Sequence, residues 1–434
     1  MPKRPNLVGA SLCFVSFLLF YGITSRGKLQ SSDEAAVFAS GVSLATRGHL
    51  AIDELQWLHE RVNIGDQGPD GHLYTKYFPG NVFSVALVYK LTAPRDDQPY
   101  IWVEEMAPSA IGARWALRLN SLWGALGMTA LLLLLRRYFS WRTTVLAVVL
   151  VGFCSDWWYQ SRGLYSEVAA GAFLIASLCF AINDKPLGSA TALAVSILFR
   201  PTNLLALPIW AWRVWRKPFQ ALTSALIIAA GGLLFALYNW ARFGSALRFG
   251  YPSGNLNVPL LTGLHLMSLS PGRSLFVYSP ILLLAIPGVW LFYRKEKTFT
   301  ILCAILIMSY ALVIASWGPL GWGLTWGMRL MTPIVPVLGF LMASTLEYFW
   351  RNKLLLSLAL ILGLAGLAVQ VLALLRDPTH VLVHRVMSGE VKYEDTLYTV
   401  RDSWMALQIR SLSDWQPCNL DSYTLRHWLT NCPQ

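Results

Sequence analysis

Apolar runs, each ended by polar or basic residues, recur along this 434-residue chain, and that series constrains the fold more than any motif. A run of about 20 apolar residues makes a helix that crosses a bilayer. Only helices and closed barrels satisfy every backbone group in hydrocarbon. The runs lie at 7–23, 113–135, 145–158, 165–182, 187–199 and 204–212, then near 220–238, 275–293, 298–316, 331–346 and 354–375. Charged residues make up 13% of the chain, about half the ~25% of soluble domains, while 55% is hydrophobic. The expected fold is all-α: a polytopic membrane protein of roughly eleven transmembrane helices, with surface helices in the first outer loop and a small C-terminal tail.

Basic clusters orient the series. Lys3 and Arg4 precede the first run, which exits through Thr24-Ser25-Arg26 with no small-x-small cleavage site, so it reads as a spanning helix with its N-terminus inside. The groups Arg136/Arg137/Arg142, Arg213/Arg216/Lys217, Arg294/Lys295/Lys297 and Arg351/Lys353 mark further inner ends. The net charge of +12 is therefore a matter of topology, and no nucleic-acid partner is expected. An odd span count puts the C-terminus outside. The domain reading is an integral membrane unit over 1–375, whose outer loop 24–112 carries the acidic motif, followed by a small polar outer-face tail over 376–434. Within that loop, 37–44 and 83–91 are too short to span and are expected to lie along the membrane surface.

The stretch 30–81 is acid-rich in a chain poor in charge. Its Ser31-Ser32-Asp33-Glu34 follows the first helix directly, so the two carboxylates sit at the water boundary, where they can stay ionised. Asp33 is the candidate general base, with Glu34 beside it. The plainer reading is that both cap the next helix, since Ser-Ser-Asp-Glu is also a helix start. Further outer turns contain Tyr165-Ser166-Glu167, Arg200-Pro201-Thr202-Asn203, Ser270-Pro271-Gly272-Arg273 and a Trp/Gly-rich segment ending in Arg329. Arg162, Arg200, Arg273 and Arg329 could bind phosphate bidentately. Taken singly, each reads first as a snorkelling arginine at a helix end, and it is their shared side that favours the binding role.

In order and sidedness, these motifs resemble the GT-C superfamily of membrane glycosyltransferases, nearest to the aminoarabinose transferase and protein O-mannosyltransferase-like families. The features that match are Asp33-Glu34 after the first helix, Lys76 followed by Pro79, and the second outer acidic motif Tyr165-Ser166-Glu167. The resemblance covers most of the first 345 residues. It implies an enzyme that transfers a sugar from a polyprenyl-phosphate donor to a lipid, glycan or protein acceptor on the outer, periplasmic face of the inner membrane. The first-loop Asp would activate the acceptor hydroxyl, and Lys76, Arg200, Arg273 and Arg329, with Tyr165 and Glu167, would form the substrate site. Two departures touch the donor side: Tyr77-Phe78 separates Lys76 from Pro79, and Glu167 stands where Asp is common.

Displacing a lipid phosphate from an anomeric carbon needs a base near the incoming hydroxyl and cations on the departing phosphate. A metal ion could assist, yet His49, His59 and His72 and the loop carboxylates lack ligand spacing, so no metal site is assigned and a divalent cation stays open. The competing function is a transporter or lipid flippase, which would place ionisable residues near the bilayer midplane. The predicted spans are nearly free of them. Cys418 and Cys432, the two cysteines in a polar region, could form a disulfide in an outside tail.

Overall fold

The computed structural model describes residues 7–92, 111–251, 256–318 and 323–429. Among them, six helices are long and apolar enough to cross a membrane: Leu7–Thr24, Arg114–Leu135, Pro218–Phe243, Lys297–Ser316, Arg329–Phe349 and Lys353–Leu375. Four shorter apolar helices join them: Trp141–Cys154, Ser166–Ile182, Pro186–Phe199 and Pro280–Tyr293. Arg329–Phe349 is almost wholly buried, whereas Pro218–Phe243 shows most of its surface. Leu222, Leu226, Leu233, Ile305, Met308 and Ile361 all face outward. An apolar exterior around an apolar core is what a bilayer demands of a multi-pass bundle. The protein is an integral membrane protein.

Three runs depart from single spans for local reasons. The run at 204–212 arrives as a 3-10 segment, Pro201–Ala206, and the eight-residue helix Leu207–Val214, because Pro201 and Pro208 fall where each piece begins. Ser155 is extended and ends Trp141–Cys154, and its hydroxyl caps the short helix Asp156–Gln160. Pro280 divides Leu275–Tyr278 from the turns that follow.

The first loop is built from two helices, Ser32–Arg47 and Pro79–Thr92, packed on each other around Phe38, Val82, Val85 and Tyr89. Between them lies the one departure from an all-helical chain among the described residues, a hairpin of Gly65–Gln67 and Leu73–Thr75. Ser32–Arg47 starts where its capping residue does: the Ser31 hydroxyl accepts the Glu34 N–H at 3.2 Å, and Asp33 and Glu34 occupy the positive first turn. It ends at Gly48, whose φ of 72° is left-handed.

The bundle has two unlike ends. At one, Lys295 donates to the Tyr138 carbonyl, Arg213 pairs with Asp184, and Trp350 donates to Thr143. These are the ends marked by the basic clusters. The first loop and the tail share the other end, where Tyr423 N–H donates to the Ser25 carbonyl at 3.1 Å. The tail is no free appendage: its Val381, Leu382, Trp404 and Leu407 form one core with Tyr159, Tyr278 and Trp326 of the bundle. Cys418 is disulfide-bonded. Cys432 lies outside the described residues.

Candidate active site

A cavity of about 1030 Å³ opens at the end of the bundle that carries the first loop. Asp33, Lys76, Tyr165, Glu167, Arg200 and Arg329 all line it, although they are spread over nearly 300 positions of sequence. Asp33 projects from the first turn of its capped helix, Glu167 from the first turn of Ser166–Ile182, and Arg200 from the extended residue that ends Pro186–Phe199. Arg329 opens the 3-10 turn Arg329–Ile334, which leads into the most buried helix. Helix ends, not helix middles, supply the site.

The polar groups form one chain. Tyr77 donates its hydroxyl hydrogen to Asp33 Oδ1, and Arg329 Nη1 donates to Asp33 Oδ2 at 3.0 Å. Arg329 Nε lies 3.3 Å from Glu167 Oε1, which accepts from Arg200 Nη1 at 2.5 Å. The Arg329 guanidinium also lies 4.3 Å from the centroid of the Tyr165 ring. Burial pushes the Asp33 carboxyl up, but the charges of Arg329 and Lys76 and the Tyr77 hydrogen bond outweigh it, so the pKa is held below its ordinary value. Asp33 is thus ionised at neutral pH. Lys76 sits 5.6 Å from both the Tyr77 and Tyr251 ring centroids, and its ammonium donates to the Asn63 carbonyl. Burial draws its pKa below the usual lysine value, Asp33 pulls it back up, and Arg329 adds to the lowering.

Three cations, Lys76, Arg200 and Arg329, therefore face two carboxylates, and one positive charge is left over. Arg248, also in the wall, is matched by Asp66 at 2.7 Å. Apolar and aromatic side chains line the cavity too, among them Phe78, Phe249, Leu256, Val313 and Trp317. Leu247 and Leu256, both in the lining, are largely exposed.

Three residues named from the sequence, Glu34, Arg162 and Arg273, do not line the cavity, and Arg162 is buried against Asp421 at 2.9 Å. Glu34 is fully buried on the other side of its helix. Its carboxylate accepts the N–H groups of Gln30 at 2.8 Å and Leu164 at 2.7 Å, with Arg26 at 3.7 Å. Successive helical residues point about 100° apart, and here that turn brings Asp33 to the cavity and takes Glu34 away from it. Arg273 is also buried, and it donates to the carbonyls of Gly323, Thr325 and Gly327. It closes the loop before Arg329. The sequence reading missed Tyr77, whose only signal was its place beside Lys76. Among the described residues no three His, Cys, Asp or Glu side chains gather as metal ligands, and both cavity carboxylates are engaged by guanidinium.

No family model matches the chain, and no curated protein matches its sequence. Two solved structures share its architecture. The apo structure of ArnT from Cupriavidus metallidurans superposes at TM-score 0.54 with 14% identity, over 98% of this chain and 78% of ArnT. The same protein solved with bound undecaprenyl phosphate gives TM-score 0.54 and 14% identity over 96% and 77%. At 14% identity the likeness is one of fold: this chain has the fold of ArnT over nearly its whole length.

Proposed function

We propose that the protein transfers a sugar from a polyprenyl-phosphate donor to an acceptor hydroxyl, with the cavity on the outer, periplasmic face of the inner membrane. The observation that carries this reading is an ionised carboxylate, Asp33, placed beside a surplus of fixed positive charge, in a cavity that is also lined by apolar and aromatic side chains. The surplus charge suits a phosphate, and the apolar lining suits the isoprenoid chain attached to it. Undecaprenyl phosphate is the molecule bound in one of the two ArnT structures, which makes the same lipid class the first donor to try here.

The roles follow from position. Asp33 accepts the proton of the acceptor hydroxyl as that oxygen bonds to the anomeric carbon, and the carbon's bond to the phosphate oxygen breaks with its electron pair leaving on the phosphate. Lys76 and Arg200 stabilise the charge that appears there. Arg329 holds Asp33 and Glu167 at fixed separation and adds its own charge. A divalent cation has no ready ligand set among the described residues, so its place would have to come from the donor phosphate. The division into a catalytic membrane unit over 1–375 and a tail over 376–434 belongs to this reading. A transporter would need a polar route through the bundle, but Phe139, Phe292, Phe299 and Phe340 pack ring to ring toward the basic end. Purified protein incubated with a panel of polyprenyl-phosphate sugars should release or transfer sugar from one of them, and failure with every donor lipid that binds would remove the reading.

A further inference from the structure

We infer that the C-terminal tail is a brace that positions both halves of the active site, holding Asp33 through Arg26 and Glu34 and holding Arg329 through Arg273. The inference rests on the transferase reading of the cavity. Its physical basis is a pair of buried contacts made by two separate tail residues.

The first is Asp421. Its carboxylate lies between two buried guanidiniums, 3.5 Å from Arg26 Nε and 2.9 Å from Arg162 Nη2, and it accepts from Gln30 Nε2 at 2.5 Å. Arg26 passes the contact on to Glu34, whose carboxylate fixes the N–H groups of Gln30 and Leu164. Gln30 begins the turn that leads to Asp33, and Leu164 precedes Tyr165. Arg162 ties the same corner down by donating to the Thr24 carbonyl at 2.7 Å. None of the three Arg26 guanidinium nitrogens makes a hydrogen bond. Arg26 is held by charge and by the Tyr159 ring at 4.3 Å. A side chain held without directional bonds shifts when one of its counter-charges is removed, and here one of the two belongs to the tail.

The second residue is Trp404. Its buried ring lies 4.0 Å from the Arg273 guanidinium, which gathers the carbonyls of Gly323, Thr325 and Gly327. Arg329 follows that loop by two residues. The tail therefore reaches the base and its guanidinium partner by independent routes, and no tail atom needs to touch substrate. Asp421 and Trp404 are positioning residues.

Asp421→Asn, Trp404→Phe and Trp404→Leu in the full-length protein test this. Three quantities are to be measured: folded fraction, sugar transfer against pH, and hydrogen exchange of the segments 28–36 and 323–334. In the well-folded variants kcat is expected to fall on the order of tenfold to a hundredfold, as small misplacements do, with a smaller change in the donor KM. Trp404→Phe keeps a ring under Arg273 and should retain most activity, which keeps the comparison usable even where Asp421→Asn folds poorly. Asp33 is faced by Arg329, Lys76 and Tyr77, with Tyr165, Tyr251 and Glu167 beyond. Loosening Arg329 raises the Asp33 pKa, so the acid limb of transfer should move to higher pH in Trp404→Leu. Exchange should rise in 28–36 for the Asp421 variant and in 323–334 for Trp404→Leu. Unchanged exchange in both overturns the brace whatever transfer does. Raised exchange in the variants of a protein whose wild type transfers no sugar leaves the brace standing and removes the transferase reading instead.

Discussion

Asp33 and Lys76 line one cavity, and loss of a proton readies the first for its role but disables the second, which makes the pH profile informative. The base works only when ionised, and its pKa lies below the ordinary carboxylate value, so activity should persist into mild acid and fall only as pH drops through that lowered pKa. Lys76 must be charged to hold phosphate, and its pKa lies below the lysine norm, so donor affinity should fall as pH rises through it. Lys76→Arg, charged throughout, is expected to lose the alkaline limb of donor binding and keep the acid limb of transfer. A donor-binding titration against pH checks this, and an alkaline limb that survives in Lys76→Arg would assign it to another group. At this scale the sequence was legible where a residue type is rare in its setting: Asp33, Lys76, Tyr165, Glu167, Arg200 and Arg329 are polar groups at helix ends, and the fold brings all six to one cavity. It was not legible where the deciding quantity was direction. Adjacency joined Glu34 to Asp33, but helical geometry turned it to the buried side, and Arg273 met backbone carbonyls that no pattern of side chains announces.

The turn from Arg162 to Tyr165 shows how closely elements are fitted around the site. A Cβ at Gly163 would stand 2.5 Å from Glu34 Oε1 and 2.9 Å from Arg26 Nη1. Gly163→Ala is therefore expected to cost about 1–3 kcal/mol, as overpacking does, by pushing the Glu34 carboxylate off the Leu164 N–H. Thermal unfolding of the purified variant measures it, and a wild-type midpoint would show that the turn has room. The helices themselves were readable because runs of about 20 apolar residues leave few alternatives. Their interruptions were less so. Ser155 and Pro280 break runs that hydropathy treats as continuous, and of the run 204–212 only the part from Leu207 on lies in the helix Leu207–Val214. How the tail packs was not legible for a related reason: it has no spanning run, yet Val381, Leu382, Trp404 and Leu407 pack on the bundle.

Over the whole molecule, the tail and the first loop share one end, and the basic clusters share the other. The positive end is expected inside, which sets the cavity outside. Cys418 is disulfide-bonded, and Cys154, Cys179 and Cys303 are buried, so a membrane-impermeant thiol reagent on intact cells should label the tail only after reduction. Labelling that needs a permeabilised membrane would reverse the topology and put the cavity inside. The central claim concerns the carboxylate within that cavity, and it is tested most directly by rate. Asp33→Asn keeps the volume and can still meet Tyr77, but it cannot take a proton. With the polyprenyl-phosphate sugar that the wild type turns over, folded Asp33→Asn is predicted to transfer at least about a hundredfold more slowly, the usual loss for a missing general base. Transfer near the wild-type rate by folded Asp33→Asn would contradict the account.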